Sequence, residues 1–131
     1  MQTELILSFL RQNLPDLTAV YLFGSRARGT ARPDSDLDLA VLVNVQLDPT
    51  LLWELAQKLS EQVGCEVDLI DLCQASTVLQ YQIITTGQRI WAHGVGPGVY
   101  EAFILSEYTH LNEARAGLLS DIHQRGRVYG R

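Results

Sequence analysis

The chain has 131 residues, about the size of one ordinary domain, and 47% of them are hydrophobic, which is enough for a core. Its 10 basic and 15 acidic residues give a net charge of −5, so a long nucleic acid, which favours basic surfaces, is a poor candidate for its partner. Because the longest apolar runs are far shorter than the roughly 20 residues that span a bilayer, and no secretory signal pattern opens the sequence, we expect a cytoplasmic protein.

Hydrophobic periodicity and turn residues predict alternating helices and strands. Pro49 is suited to open a helix and Gly64 to end it, and "GVGPG" (94–98) resembles a hinge. The predicted elements, in chain order, are a helix (3–13), two strands (17–23 and 36–43), a helix (49–63), a strand (65–72), a helix (75–87), a short edge strand (88–92) and a long helix (about 99–125). This order predicts one α/β (α+β) domain over residues 1–131, with a small mixed central sheet flanked by helices.

Two aspartates stand at the start of the strand "DLDLAVLV" (36–43). Side chains alternate along a strand, so Asp36 and Asp38 share one face while Leu37 and Leu39 share the other. Two like charges on the same face repel unless a cation lies between them, and Mg²⁺ prefers carboxylate ligands. An isolated Asp-x-Asp is more often an ordinary exposed strand end, so this pair needs support from its surroundings.

The turn upstream of the aspartates gives that support. The strand 17–23 ends in Gly24-Ser25, and "SRARG" is suited to begin a short helix. Glycine lets the backbone approach a ligand closely, and exposed backbone N–H groups bind phosphate. The Ser25 hydroxyl adds a donor, and Arg26 and Arg28 could face phosphate charge.

A third acid, Asp68, is predicted to lie beside Asp36 and Asp38. In "EVDLIDL" (66–72), Val67 and Leu69 share one face, so Asp68 lies on the other. If this strand is beside 36–43, Asp68 joins the two aspartates around a cluster of metal ions, as in two-metal sites. Asp71 falls on the Val67 face near the strand end, and we expect it to be a cap or a surface residue.

The stretch Gly24-Ser25, ten intervening residues and Asp36-Leu37-Asp38 resembles the signature of the DNA polymerase β-like nucleotidyltransferase superfamily. The wider "GSRARGTARPDSDLDL" is similar to its minimal nucleotidyltransferase (MNT) branch. The resemblance covers most of the chain, with a catalytic core over about residues 15–92. It implies the nucleotidyltransferase fold.

The resemblance also implies site roles. Asp36 and Asp38 would bind both Mg²⁺ ions with the triphosphate of ATP, while Asp68 would bind the catalytic ion and help activate the acceptor hydroxyl. Gly24 and Ser25 would hold the β- and γ-phosphates. The remaining residues assigned to nucleotide binding are Arg26 and Ser35.

Members of the MNT branch resemble the antitoxin half of HEPN–MNT toxin–antitoxin pairs. There the nucleotidyltransferase transfers AMP from ATP to a tyrosine of the HEPN ribonuclease toxin. The short chain and its acidic charge favour an acceptor with its own binding surface, which is a partner protein. The long C-terminal helix and the end "HQRGRVYGR" are candidates for that contact, although a packing helix with a solvated tail is equally compatible.

Two alternatives remain open. One is nucleotidyl transfer to a small molecule or an RNA end. The other is a non-catalytic antitoxin that neutralises its partner by occlusion. Among other residues, Trp53 and Trp91 are predicted to be packing residues rather than base-stacking ones, and Cys65 and Cys73 to be free thiols.

Overall fold

The computed structural model of the chain describes residues 2–29, 32 and 35–125, with side chains as far as residue 113. A short 3₁₀ turn, Leu72–Gln74, joins the third strand to the following helix. The helices and strands, in chain order, are α1 (Thr3–Asn13), β1 (Leu17–Phe23), α2 (Ser25–Arg28), β2 (Leu37–Val43), α3 (Pro49–Val63), β3 (Val67–Asp71), α4 (Thr77–Thr86), β4 (Gln88–Ala92) and α5 (Gly96–Arg125).

The four strands of this part of the chain form one mixed sheet in the order β3-β2-β1-β4. Strand β1 is antiparallel to both of its neighbours, and β2 is parallel to β3. Parallel neighbours need a crossover connection, and α3 provides it. The predicted α/β fold with a small mixed sheet, a short edge strand and a long C-terminal helix is therefore confirmed.

Apolar side chains pack on both faces of the sheet. On one face the fully buried Leu10, Leu39 and Leu59 join α1, β2 and α3. On the other face Tyr21 and Ile83 belong to a smaller cluster beneath α4. Because each fully buried Leu stabilises the fold by roughly 1.5–3 kcal/mol, these two layers fix the sheet and hence the loops at its end.

Helix α3 begins and ends where its sequence predicts. The Asp48 carboxylate accepts a hydrogen bond of 2.9 Å from the Thr50 backbone N–H, and Pro49 occupies the first turn. Gly64 ends the helix in the left-handed conformation with φ of 80°, which costs glycine little.

Helix α5 begins at Gly96, three residues before the predicted start. Part of the predicted hinge is therefore helical, because Pro97 has a φ suited to a first helical turn and no N–H that needs a partner there. No helix in the described residues is both long enough and apolar enough to cross a bilayer.

The first half of α5 packs on the chain's own sheet and on α4. The Tyr21 hydroxyl donates a hydrogen bond of 2.6 Å to Glu101 Oε2, and Arg89 Nη1 donates to the same oxygen at 2.9 Å. The ring of Tyr108 stacks on that of Tyr81 with 3.7 Å between centroids. Residues 126–131 of the arginine-rich end lie outside the described residues, as do the side chains of residues 123–125.

The two tryptophans have different environments. Trp91 is half-buried, and the Arg11 guanidinium lies 5.0 Å from its ring centroid, so its packing role is confirmed. Trp53 is 64% exposed on α3, so its predicted packing role is wrong. Trp53 is exposed because it lies beside the apolar face of α3, which Leu52, Leu55, Ala56 and Leu59 form, and not on it. Cys65 and Cys73 are free thiols, as predicted.

Candidate active site

The two aspartates lie at the start of β2. Asp36 precedes the strand and is exposed, whereas Asp38, inside it, is half-buried. Leu37 and Leu39, on the opposite face, are fully buried. The predicted alternation is confirmed, and burial of the leucines fixes the direction in which both carboxylates point.

Asp68 is the register partner of Asp38 across the parallel β2–β3 pair. Burial raises the pKa of the Asp38 carboxyl, and the negative charges of Asp68 and then Asp36 raise it further, while Arg26 and Arg28 oppose the rise. The three carboxylates therefore interact electrostatically at one end of the sheet, as the sequence predicts.

Gly24 follows β1 and lies against Asp38. The last β1 residue, Phe23, pairs with Asp38, and Gly24 then has φ of 75° and ψ of −155°. A Cβ atom at Gly24 would lie 2.2 Å from Asp38 Oδ2. Only glycine fits both this conformation and this contact. The turn is thus built around the central carboxylate, and Ser25 begins α2 directly after it.

Arg26 holds the loop that leads into β2. Its Nε donates to the Asp36 carbonyl oxygen at 3.2 Å, and its Nη2 donates to the Ser35 carbonyl oxygen at 2.7 Å. The Ser35 hydroxyl accepts a 2.7 Å hydrogen bond from the Arg32 N–H, and the Ser35 N–H donates to the Arg32 carbonyl at 2.9 Å. Arg26 and Ser35, two of the four residues predicted to bind nucleotide, therefore have structural roles in this loop.

A small cavity of about 260 Å³ adjoins the glycine turn. Its lining includes Gly24, Arg28, Gln82 and Thr86. Unlike Arg26, the exposed Arg28 is available at this cavity as a cationic group. Gln82 and Thr86 come from α4, far along the sequence, so only the fold brings them to the turn.

The donor chemistry of the carboxylates suits Mg²⁺, which takes oxygen ligands. In the described part of the chain, however, no group of three or more His, Cys, Asp or Glu side chains is close enough together to hold a metal ion. The mutual repulsion that raises the pKa of Asp38 acts against close approach of the carboxylates. Asp36, Asp38 and Asp68 thus supply carboxylate oxygens of the kind that bind Mg²⁺, but their side chains are not already arranged around a common metal position.

A larger groove of about 620 Å³ runs along β3, and the sequence did not reveal it. Asp36 and Asp68 line one end, and Asp71 also lines it. Asp71 caps the 3₁₀ turn by accepting from the Cys73 N–H at 3.2 Å, so its predicted capping role is confirmed. It is 4% exposed, so of the two predicted alternatives, a cap or a surface residue, the structure has the cap.

Comparison with known proteins identifies relatives over most of the chain. The family model described as polymerase beta, nucleotidyltransferase matches residues 4–93. The protein adenylyltransferase MntA of Shewanella oneidensis is 41% identical over 117 residues, which cover 89% of this chain and 84% of that protein.

Solved structures of toxin–antitoxin complexes are also similar. A chain from a toxin–antitoxin crystal structure with AMP-PNP has a TM-score of 0.83 at 39% identity, covering 94% of this chain and 99% of that one. A chain from the complex of tri-AMPylated Shewanella oneidensis HEPN toxin with MNT antitoxin has a TM-score of 0.76 at 37% identity, covering 92% and 95%.

Proposed function

The chain belongs to the polymerase beta nucleotidyltransferase family, and we propose that it is an antitoxin that transfers AMP from ATP to a tyrosine hydroxyl of a partner HEPN ribonuclease toxin. The observation that carries the proposal is the contact between Gly24 and Asp38, with Asp68 in register beside it. It unites a backbone turn suited to phosphate with the carboxylates suited to metal. Similarity to an adenylyltransferase and to a chain from a complex with a tri-AMPylated HEPN toxin supports the choice of acceptor.

In this proposal residues of about 15–92 form the catalytic core, and the three aspartates hold Mg²⁺. When bound, Mg²⁺ would supply Lewis-acid chemistry that offsets phosphate charge and favours ionisation of the acceptor hydroxyl. The turn at Gly24 and Ser25 holds the β- and γ-phosphates beside the small cavity that Arg28 lines. Arg26 and Ser35 act indirectly, by fixing the backbone that carries Asp36.

In the proposed transfer step one bond forms and one bond breaks at the α-phosphorus of ATP, and a side chain of this protein accepts the proton. The tyrosine oxygen forms a bond to the α-phosphorus of ATP, and the bond from that phosphorus to the bridging oxygen breaks, releasing pyrophosphate. The Asp68 carboxylate accepts the proton of the tyrosine hydroxyl. Asp68 is exposed, which leaves it accessible to an acceptor from outside the chain.

An exposed apolar stripe at the start of α5 supports a protein partner. Val99 and Phe103 on the helix, and Val95 directly before it, follow one another four residues apart, and their side chains are 66%, 58% and 84% exposed. Exposed apolar clusters of this kind mark interaction sites. The same stripe favours the second candidate, neutralisation by occlusion alone, because it could bind the toxin without any chemistry.

The test separates these candidates with α-labelled ATP, Mg²⁺ and the toxin encoded by the adjacent gene. We expect label on the toxin with the wild type and with Asp16→Asn, a matched change at an exposed loop aspartate. Asp38→Asn should abolish labelling and restore toxin activity. Neutralisation that persists in Asp38→Asn without any labelling would instead favour occlusion.

A further inference from the structure

The groove along β3, lined by residues including Asp36, Gln57, Asp68, Asp71 and Gln74, lies at a free edge of the sheet; we call it the β3 groove. Strand β3 is the end strand of the order β3-β2-β1-β4, and its other side pairs with β2. Helix α3 forms one wall and the segment from the 3₁₀ turn to α4 forms the other. An end strand between two walls is an accessible site for another extended chain.

The backbone of β3 has hydrogen-bonding groups to offer there. The Glu66 carbonyl points toward β2, because it accepts a 2.8 Å hydrogen bond from the Leu37 N–H. Backbone groups alternate sides along a strand, so those of Val67 and Leu69 point away from β2 and into the groove. Within the described residues no further strand pairs with this edge.

The charge of the β3 groove is negative. Its described lining contains four acids, Asp36, Glu66, Asp68 and Asp71, and neither Lys nor Arg. Asp71 Oδ2 is buried without a hydrogen-bond partner among the described residues, so the nearby chain leaves this acceptor unsatisfied. A buried unpaired acceptor is costly, and a basic occupant would offset this charge.

The groove also lies on the side of the site where an acceptor is needed. In an in-line displacement the attacking oxygen and the leaving pyrophosphate lie on opposite sides of the phosphorus. The glycine turn and its small cavity follow β1, on one side of β2, and the β3 groove lies on the other. With the triphosphate at Gly24, the acceptor oxygen approaches from β3.

Resting on the proposed function, we propose that the β3 groove binds an extended basic segment of the toxin as an added strand and so delivers its tyrosine to Asp68. The distance from Asp68 to Asp71 along β3 is about 10 Å at roughly 3.3 Å per residue. The segment therefore carries Lys or Arg within about three residues of the acceptor tyrosine. The exposed wall residue Trp53 supplies an apolar surface for this segment.

A charge change on the groove wall tests this assignment. Gln57 and Gln62 are both exposed on α3, but only Gln57 lines the β3 groove. We expect Gln57→Lys to raise the KM for the toxin about tenfold and to leave the Kd for ATP unchanged. Gln57→Glu, which places a negative charge at the same position, should not raise the KM for the toxin. Gln62→Lys should leave both constants unchanged. Equal KM values for the two Lys variants, or a changed Kd for ATP in Gln57→Lys, would overturn the proposal.

Amide hydrogen exchange of the full chain gives a second test that does not depend on catalysis. Adding the toxin without ATP should slow exchange of the Val67 and Leu69 amides at least tenfold, while the outer amides of β4 serve as the internal control. Unchanged exchange at β3 in a formed complex contradicts added-strand binding. Slowing by ATP alone would assign the groove to the nucleotide and overturn the proposal.

The exchange test also identifies a third occupant. Protection already present in the isolated chain, and lost when residues 126–131 are removed, would assign the groove to the chain's own tail and overturn the proposal. If the wild type transfers no AMP, the proposed function fails by itself. Protection of β3 by the toxin would then still support docking, and its absence would overturn docking as well.

Discussion

Gly24 and Asp38 face each other where β1 and β2 begin to diverge, and a Cβ atom on Gly24 would lie 2.2 Å from Asp38 Oδ2. The backbone of the turn and the central carboxylate therefore share one small space. Any side chain at Gly24 has to displace the carboxylate, the turn or both. This contact links the predicted phosphate-binding turn to the predicted metal-binding strand.

Gly24→Ala should consequently impair both stability and catalysis. Its φ of 75° adds backbone strain of about 1–3 kcal/mol to the steric clash with Asp38. We expect AMP transfer to fall about 100-fold, as for small displacements of catalytic groups. Gly29→Ala is the matched control, since Gly29 has φ of 74° but no atom of another described residue within 4 Å of its Cβ position. Equal activities of the two variants, measured with chemical denaturation alongside, would refute the steric role.

Substitution of the two arginines of α2 should change different kinetic constants. Arg28 lines the cavity at Gly24, so Arg28→Ala should raise the KM for ATP about tenfold with little change in kcat. Arg26 donates to the Ser35 and Asp36 carbonyls and so positions Asp36, and Arg26→Ala should therefore lower kcat with little change in the KM for ATP. An increased KM for ATP in Arg26→Ala alone would reverse these assignments.

The raised pKa of Asp38 predicts a pH-dependent gain in stability when its charge is removed. Burial and the charges of Asp68 and Asp36 favour the protonated form in the folded state. The resulting stability is present below the ordinary pKa and is lost as the pH rises through the raised value. Without metal, Asp38→Asn should have a higher Tm than the wild type at pH 7.

This gain in Tm should shrink as the pH falls toward the ordinary pKa of aspartate, where the wild type is also neutral at Asp38. Thermal unfolding of both proteins with a chelator present measures it, with Asp16→Asn as the exposed control. A Tm of Asp38→Asn below that of the wild type at pH 7 would show that the ionised carboxylate is stabilising.

The exposed stripe of α5 should determine partner affinity. Val99→Ala/Phe103→Ala removes two exposed apolar side chains, so the Kd for the toxin should rise at least tenfold while the Tm stays the same. Leu105→Ala, which truncates an exposed apolar side chain of α5 outside the stripe, is the control. Calorimetric titration with the toxin measures the affinity, and similar losses in both variants would leave the stripe without a specific role.

The elements and the acidic cluster could be predicted from the sequence because their signals are local. Alternation places Asp36 and Asp38 on one face, and Pro49 and Gly64 mark the two ends of α3. The adjacency of Asp68 also followed, once the two strands were assumed to be neighbours.

Features that depend on strand order or on the path of a loop could not be predicted. The β3 groove exists because β3 is an end strand between two helical walls, and Asp71 is buried by this packing despite its charge. The hydrogen bonds from Arg26 to the Ser35 and Asp36 carbonyls join residues that lie 9 and 10 positions apart in the sequence. No spacing rule distinguishes Arg26 from Arg28.

Tandem mass spectrometry of the adjacent-gene toxin, after incubation with this chain, ATP and Mg²⁺, shows directly whether AMP is transferred to the toxin. We expect AMP on a toxin tyrosine, with pyrophosphate released in equal amount, and neither product with Asp38→Asn. A toxin that is fully inhibited by this chain yet carries no AMP on any tyrosine would contradict the proposed function.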